Sequence, residues 1–212
     1  MAGDAPRIHP TAEIEPGVEI GARTAVWSGA HLRGPGTVVG ADCIVGERTY
    51  LAPGVRVGDL VKVNANVYLC TGVTLADAVM VGAGVVFTND RYPRATTPDL
   101  RTLRPSEADD STLPTRVETG ATVGAASVVG CDLTIGRFAM VGMGALVTRS
   151  VAPFHLVLGR PARPVAIVSR AGAPILRFSG ARPPDREELV CPRSGLRYAV
   201  HDGVVEELDP PS

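Results

Sequence analysis

The residues of this chain best suited to chemistry lie where a regular pattern of apolar residues stops, at Thr88-Asn89-Asp90. The Asn89 amide can both donate and accept hydrogen bonds, so it could orient a reacting group. Arg91 and Arg94 follow, and their guanidinium groups suit phosphates or carboxylates. Further back in the chain lies His31, and histidine is a residue type that often serves as a general base. These residue types indicate a site for a polar substrate beside an interruption in a regular scaffold.

That scaffold is a six-residue repeat. The anchors, all apolar, are Ile8, Ile14, Ile20, Val26, Leu32, Val39, Val45, Leu51, Val57, Val63, Leu69, Leu75, Val81, Phe87, Val117, Val123, Val129, Ile135, Val141 and Val147. One extra residue falls in the RGPGTV segment, and residues 88–116 interrupt the count. Glycine often follows the anchor, and the residue four after it is small or β-branched nearly throughout. Such a short period predicts a solenoid.

A six-residue unit is too short for a helix and a turn, but it suits a short strand and a tight corner. Three units would form one triangular coil, and stacked coils would pair their strands in parallel. We expect the anchors to point into the prism and glycine to supply the positive φ of the corners. A narrow interior also explains why 45% of the residues are hydrophobic while only 4% are aromatic.

The charge balance and the cysteine spacing give no indication of a nucleic acid partner, a membrane partner or a cysteine-bound metal. Lys and Arg number 21 against 22 Asp and Glu, so bulk electrostatics give no reason to expect a nucleic acid or membrane partner. The four cysteines are scattered without metal-ligand spacing. No signal-like segment and no long apolar run is present, so we expect a soluble, cytoplasmic protein with reduced, packed cysteines.

Three further motifs resemble a known family. The runs VFTND followed by YPR, VGMGALVT, and LVLGRPARPV look like hexapeptide-repeat acyltransferases that N-acylate nucleotide-linked amino sugars. The resemblance spans about residues 8–170, and some relatives also share the C-terminal CPRSGLRY. It implies an all-β fold, a left-handed parallel β-helix of hexapeptide repeats with a long inserted loop and a small C-terminal extension. The left hand comes from the family, because parallel crossovers are generally right-handed.

The expected organisation has two parts. Residues 8–152 form the β-helix, with a loop excursion at 88–116 that is too long for an ordinary connection. Residues 153–212 contain a strand, a short helical segment, a linker and a hairpin turning at Asp202-Gly203. By the resemblance, the excursion reaches a neighbouring subunit of a homotrimer.

The resemblance also implies an activity: transfer of an acetyl or other short acyl group from acyl-CoA to the amino group of a UDP- or dTDP-linked amino deoxysugar. The amine would attack the thioester directly, oriented by Asn89, with His31 as a candidate base. Asn66 matches a family asparagine, and with neighbouring Asn64 it could bind the sugar, as Arg91 and Arg94 could bind its charged groups. Plainer interpretations remain: a turn-capping Asn89, a surface His31 and a structural asparagine ladder. Cys70 and Thr71 depart from several relatives and leave the sugar open.

For the acyl-CoA co-substrate, glycine permits close backbone approach and arginine could meet phosphates. The candidates are Gly142, Gly144, Ala145, Arg149, Gly159, Pro161, Ala162 and Arg163. No metal is expected, because four scattered histidines do not supply three ligands at one corner. The alternatives are an O-acyltransferase of the same fold, a carbonic-anhydrase-like metal-dependent hydratase, and a non-catalytic scaffold.

Overall fold

The computed structural model describes residues 4–180 and 182–210, and within them every regular element is a β-strand. Most strands are two or three residues long and form the three faces of a prism. Face A contains β1 (Arg7–Ile8), β4 (Ala25–Val26), β7 (Ile44–Val45), β10 (Lys62–Val63), β13 (Met80–Val81), β16 (Thr122–Val123), β19 (Met140–Val141) and β21 (His155–Gly159). Face B contains β2 (Glu13–Ile14), β5 (His31–Leu32), β8 (Tyr50–Leu51), β11 (Tyr68–Leu69), β14 (Val86–Phe87), β17 (Val128–Val129) and β20 (Leu146–Val147). Face C contains β3 (Glu19–Ile20), β6 (Val38–Val39), β9 (Arg56–Val57), β12 (Val73–Leu75), β15 (Thr115–Val117) and β18 (Leu133–Ile135).

The strands of each face pair in parallel, and the register follows the repeat. Lys62 pairs with Met80, eighteen residues later, so three hexapeptides complete one coil. The extra residue in RGPGTV lengthens one coil by one, because Glu19 pairs with Val38. The long excursion is absorbed at one corner, and Val86 pairs with Val128 across it. The predicted parallel β-helix is confirmed.

The anchors form the interior of the prism. Every anchor from Val26 to Val147 is buried. The first three are not, and Ile8 is 44% exposed, because the first coil is the open end of the prism. Buried hydroxyls in this interior are satisfied by neighbouring carbonyls: Thr49 Oγ1 donates to Asn64 O at 2.8 Å, and Ser127 Oγ donates to Gly142 O at 3.0 Å.

The corners correct one expectation about glycine. The left-handed residue lies three positions after the anchor, and it is often not glycine, as at Asn66 (φ 57°) and Ala78 (φ 58°). The glycine directly after the anchor has another purpose. At Gly82, an added Cβ would clash with the backbone of Ala125 in the next coil. These glycines therefore permit close stacking of coils and do not supply positive φ.

The C-terminal part differs from the expectation at residues 162–168. They form strand β22 (Ala162–Val168), antiparallel to β21, and the predicted short helix is wrong. Pro164 disfavours a helix interior, and the β-branched Val165, Ile167 and Val168 favour a strand that can pair with β21. β23 (Pro174–Arg177) and the start of β24 (Arg186–Val190) lie in the segment expected to be a linker.

The last three strands form a separate sheet of β24, β25 (Arg197–His201) and β26 (Val204–Glu207). Asp202 and Gly203, both with positive φ, make the turn between β25 and β26. Tyr198 and Val200 pack with Phe154 and Ile167 in a second core beside the prism end. The domain boundary after residue 152 stays a prediction.

The prism interior predicts a sharp difference between two neighbouring positions. Val81 is fully buried, whereas Met80 on the same strand points outward and is 39% exposed. Val81→Asp should lower the free energy of unfolding by about 3–5 kcal/mol, because it buries an uncompensated charge. Met80→Asp, the matched control, should change it by less than about 1 kcal/mol. Urea titration measures both, and equal midpoints for the two variants would contradict the assigned register.

Candidate active site

The chain leaves the prism directly after Phe87, which is fully buried, and returns at β15. Asn89, two residues into this excursion, is half-buried at the corner between faces B and C. Its Nδ2 donates to Thr71 O at 3.1 Å, and its backbone carbonyl accepts from Leu113 N at 2.8 Å. The side-chain Oδ1 has no protein partner within residues 4–180 and 182–210, so it can accept a hydrogen bond from a substrate.

The excursion is folded back on itself. Asp90 Oδ2 forms an ion pair with Arg104 Nη1 at 3.0 Å, and Arg104 Nη2 donates to Ser111 Oγ at 3.0 Å. Backbone bridges join Asp90 to Thr112 and Thr96 to Leu103. These contacts return residues 106–108 to the prism beside Asn89. At its tip, Tyr92, Leu100 and Leu103 are each more than three-quarters exposed.

A cleft of about 650 Å³, here called the loop cleft, lies between the excursion and the prism. Its lining is Arg33, Tyr50, Ala52, Pro53, Tyr68, Cys70, Thr71, Asn89, Ser106, Glu107 and Ala108. Of the predicted site residues, only Asn89 lies in it. Arg33, Tyr50, Tyr68 and Glu107 were missed by the sequence analysis. The signal available for the tyrosines was their shared outward position on face B, eighteen residues apart.

At the end of the loop cleft far from Asn89, the carboxylate of Glu15 holds the neighbouring side chains in place. Glu15 accepts hydrogen bonds from His31 Nε2 at 3.0 Å, Arg33 Nε at 2.9 Å and Gly34 N at 3.1 Å. Burial alone would raise the pKa of Glu15, but the hydrogen bonds from Arg33, His31 and Gly34 outweigh it, so this pKa is lowered. Glu15 therefore stays ionised and fixes both His31 and Arg33.

The two predicted catalytic residues are not brought together within one chain. His31, Tyr50, Tyr68 and Val86 are successive neighbours on face B, so three coil spacings separate His31 from the strand that precedes Asn89. At about 4.8 Å per coil this is about 14 Å. An amine hydrogen-bonded to Asn89 is thus out of reach of His31 of the same chain.

The predicted substrate-binding residues lie apart as well. Asn66 occupies the corner between faces A and B, on the opposite edge of face B from Asn89, and its Oδ1 accepts from Arg48 Nε at 2.9 Å. Asn64 lies at the same corner. Arg91 is paired with Asp132 at 2.7 Å. Arg94 lines a smaller pocket of about 320 Å³ that it shares with Asn89 on the excursion side.

The predicted cofactor residues fall into two adjoining groups near the end of the prism. The GRPA turn packs on the last corner between faces A and B, where Arg160 Nη1 donates to Gly144 O at 3.3 Å. Gly144 has a positive φ, and a Cβ on Gly142 would clash with the Leu158 side chain, so both glycines already have a structural role. Ala145 is buried at the same corner.

The second group lines a pocket of about 670 Å³ at the prism end. Arg149, Ala162 and Arg163 lie there with apolar side chains such as Val157 and Phe178. Apolar walls with two guanidinium groups suit a ligand with an extended apolar stem and anionic groups. Arg149 follows Val147 by two residues, as Asn89 follows Phe87. The strands that precede these two residues, β14 and β20, lie on face B two coil spacings apart, or about 10 Å.

Among residues 4–180 and 182–210, no group of three or more His, Cys, Asp or Glu side chains is arranged to hold a metal ion. The same part of the chain contains no helix that is long and apolar enough to cross a membrane.

Fold and repeat define the class: the chain forms a parallel β-helix of hexapeptide repeats. A family model described as the hexapeptide repeat of succinyl-transferase matches residues 36–71. The dTDP-3-amino-3,6-dideoxy-alpha-D-galactopyranose 3-N-acetyltransferase of Aneurinibacillus thermoaerophilus is 37% identical over 94 residues, covering 44% of this chain and 45% of that enzyme. The match therefore spans less than half of the relative. The resemblance to N-acyltransferases of nucleotide-linked amino sugars is confirmed.

One solved structure supports the fold. AntD, an N-acyltransferase from Bacillus cereus solved with dTDP and 3-hydroxybutyryl-CoA, superimposes with a TM-score of 0.53 and 17% sequence identity. The match covers 80% of this chain and 84% of AntD. At this identity the similarity shows a shared architecture.

The Asp90–Arg104 ion pair predicts how the excursion is held closed. Arg104→Gln should raise the rate of chymotrypsin cleavage after Leu100 or Leu103 several-fold, because the loop loses its ion pair with Asp90 and opens more often. Arg101→Gln is the matched control, since no described side-chain partner holds that guanidinium. Mass spectrometry of the fragments gives both rates. Cleavage of the two variants at the same rate would show that the pair does not organise the loop.

Proposed function

We propose that this protein is an acyl-CoA-dependent N-acyltransferase. It transfers an acetyl or other short acyl group to the amino group of a UDP- or dTDP-linked amino deoxysugar. The observation that carries the proposal is Asn89, fixed by the Thr71 carbonyl at the edge of the loop cleft with its Oδ1 available. The name of the 37% identical relative, a 3-N-acetyltransferase of a dTDP-linked amino sugar, supports the substrate class.

The geometry supports direct attack. The amine nitrogen forms a bond to the thioester carbonyl carbon, the C–S bond breaks, and the coenzyme A thiolate leaves and takes up the proton that the nitrogen loses, so that the products are an amide and free coenzyme A thiol. Asn89 Oδ1 accepts a hydrogen bond from an amine N–H and so directs the nitrogen lone pair at the thioester. Because His31 of the same chain lies about 14 Å along the prism, the amine attacks in its neutral form without that histidine as base.

Acyl-CoA is proposed to bind at the prism end. Arg149 and Arg163 would meet its phosphates, and the GRPA turn and the corner of Gly142, Gly144 and Ala145 would lie along its stem. The spacing of about 10 Å between the Asn89 and Arg149 positions leaves an extended thiol arm room to bring the thioester to the amine.

The proposal also includes the assembly of the protein and its location in the cell. The exposed apolar tip of Tyr92, Leu100 and Leu103 suits contact with a neighbouring chain, in line with a homotrimer. Asn64, Asn66, Arg91 and Arg94 would then act on substrate across that interface. A cytoplasmic location is supported by four cysteines that carry no disulfide.

Mass spectrometry of a reaction with acetyl-CoA and a panel of UDP- and dTDP-linked amino sugars tests the activity. The expected product carries one acetyl group in an amide that resists hydroxylamine. A product that hydroxylamine cleaves would identify an ester and an O-acyltransferase. No transfer to any member, with the matched hydroxy sugars included, would reject the acyltransferase proposal.

Asn89→Ala should fold normally and lower kcat/KM by about a hundredfold, because the amine loses its orienting acceptor. The rate is measured by release of coenzyme A with the substrate that the panel identifies. Asp110→Asn, an exposed position on the same excursion, serves as control and should keep the wild-type rate. Wild-type kcat/KM in Asn89→Ala would remove Asn89 from the mechanism.

Arg163→Gln should weaken coenzyme A binding by about tenfold, through loss of a charge-assisted contact to phosphate. The thermal shift produced by coenzyme A should shrink accordingly, since ligand stabilisation follows the ratio of ligand concentration to Kd. Arg116→Gln, an exposed arginine on face C, should retain the full shift. A full shift in Arg163→Gln and in Arg149→Gln would place the co-substrate elsewhere.

A further inference from the structure

The excursion places a carboxylate at the same junction as Asn89. Two cavities meet there: the loop cleft of about 650 Å³ and the smaller pocket of about 320 Å³ on the excursion side. Among the residues that the structure describes, Asn89, Ser106 and Glu107 are the three that line both cavities. A group that is hydrogen-bonded to Asn89 Oδ1 therefore lies where the Glu107 side chain also reaches.

Contacts on both sides of Glu107 in the chain hold it at this junction. On one side, Arg104 Nη1 pairs with Asp90 Oδ2 at 3.0 Å. On the other side, Thr112 forms an antiparallel backbone bridge with Asp90. The intervening segment therefore begins and ends at Asp90, directly beside Asn89. The position of the Glu107 backbone is thus set by the folding of the excursion and does not depend on a ligand.

The Glu107 carboxylate is available to a ligand. It is exposed, and within the described part of the chain it forms neither an ion pair nor a hydrogen bond. The neighbouring carboxylates differ. Asp90 is paired with Arg104, and hydrogen bonds from Ser111 hold the pKa of Asp109 below its usual range. Those two groups serve to fold the excursion, whereas the Glu107 oxygens can accept a hydrogen bond or a proton.

The other titratable side chains of the loop cleft are poor proton acceptors. Burial raises the pKa of the Cys70 thiol to about 12, and burial also raises the pKa of the Tyr68 hydroxyl. Both groups therefore stay protonated at neutral pH. The Tyr50 hydroxyl already accepts a hydrogen bond from Arg33 Nη1 at 3.4 Å, and an arginine has no proton-accepting site. Of the described residues that line the cleft, Glu107 is the one suited to take a proton.

We propose that Glu107 is the group that accepts the proton of the reacting sugar amine. This inference rests on the proposed function and adds a catalytic residue to it. Once the nitrogen has bonded to the thioester carbonyl carbon, it carries a positive charge, and the Glu107 carboxylate takes one of its protons. The C–S bond then breaks, and the coenzyme A thiolate receives that proton from Glu107. The products are the amide and free coenzyme A thiol, and Glu107 is ionised again.

Asn89 and Glu107 have different roles in this scheme, and the difference can be measured. Asn89 orients the amine before attack and takes no proton. Glu107 acts once the bond has formed, so its loss should lower kcat and leave substrate binding nearly unchanged. A small carboxylate from solution can replace a missing carboxylate base, but it cannot replace an orienting amide.

Chemical rescue with formate tests the assignment. Glu107→Ala should lower kcat for acyl transfer by about a hundredfold and change KM by less than about twofold, as expected for loss of a general base. Formate should raise the rate of this variant several-fold, in proportion to its concentration, because it can enter the space left by the side chain. The same formate should leave the rates of the wild type and of Asn89→Ala unchanged.

Three further variants serve as controls. Glu107→Gln fills the space with a group that takes no proton, so it should be as slow as Glu107→Ala and should not respond to formate. Glu107→Asp keeps a carboxylate and should be faster than both. Asp110→Ala, an exposed position on the same excursion, should keep the wild-type rate. Thermal unfolding of each variant shows that the change in rate does not come from loss of the fold.

The outcomes separate this inference from the proposed function. Wild-type kcat in Glu107→Ala or Glu107→Gln would overturn the role of Glu107 and keep the acyltransferase activity. A slow Glu107→Ala that formate does not accelerate, or a loss confined to KM, would also reject proton transfer to Glu107. Absence of transfer by the wild type to every amino sugar of the panel would reject the proposed function, and this inference with it.

Discussion

Every other feature depends on the stacking of one coil directly on the next. The coils approach so closely that the residue after the anchor is often glycine, since a Cβ there would strike the neighbouring backbone. This contact fixes the eighteen-residue register, and the register decides which side chains share a face. The columns of anchors, the Tyr50–Tyr68 stack and the spacing between Asn89 and Arg149 all follow from it. Aliphatic anchors stabilise the prism because burial of each contributes about 1.5–3 kcal/mol.

The excursion is compatible with that register because it leaves and returns at a single corner. Phe87 closes the coil before it, and Thr115 pairs with Val73 when the chain returns. Between these points, the Asp90–Arg104 ion pair folds the loop back so that Glu107 faces the prism beside Asn89. The excursion therefore forms one wall of the loop cleft, and the repeat determines which residues form the opposite wall on the prism. A cleft of mixed polarity arises without any change to the core.

The sequence was sufficient to predict the prism, because the anchors from Val26 onward occupy equivalent buried positions and the apolar pattern therefore recurs every six residues. It also singled out Asn89, which follows the last anchor before the excursion and lines the loop cleft, while its role stays a prediction. It was insufficient for the rest of the cleft, because Arg33 carries no periodic signal, and the eighteen-residue spacing of Tyr50 and Tyr68 does not show that the excursion folds over them. The corner interpretation holds for glycines such as Gly54 and Gly84, which have positive φ, but it was wrong for the glycine directly after the anchor, because close approach between coils is a tertiary constraint. The short helix expected near Ala162 was wrong because pairing with β21 overrides local propensity.

We assign Asn89 a chemical role at the interruption of the repeat, and the position of a bound amine tests that proposal most directly. A crystal structure with a nucleotide-linked amino sugar and desulfo-coenzyme A, a donor mimic that cannot react, would show where the amine lies. We expect the amine nitrogen within hydrogen-bond distance, about 3 Å, of Asn89 Oδ1. A sugar bound at the Asn66 corner, with its amine remote from Asn89 of every chain in the assembly, would contradict this account.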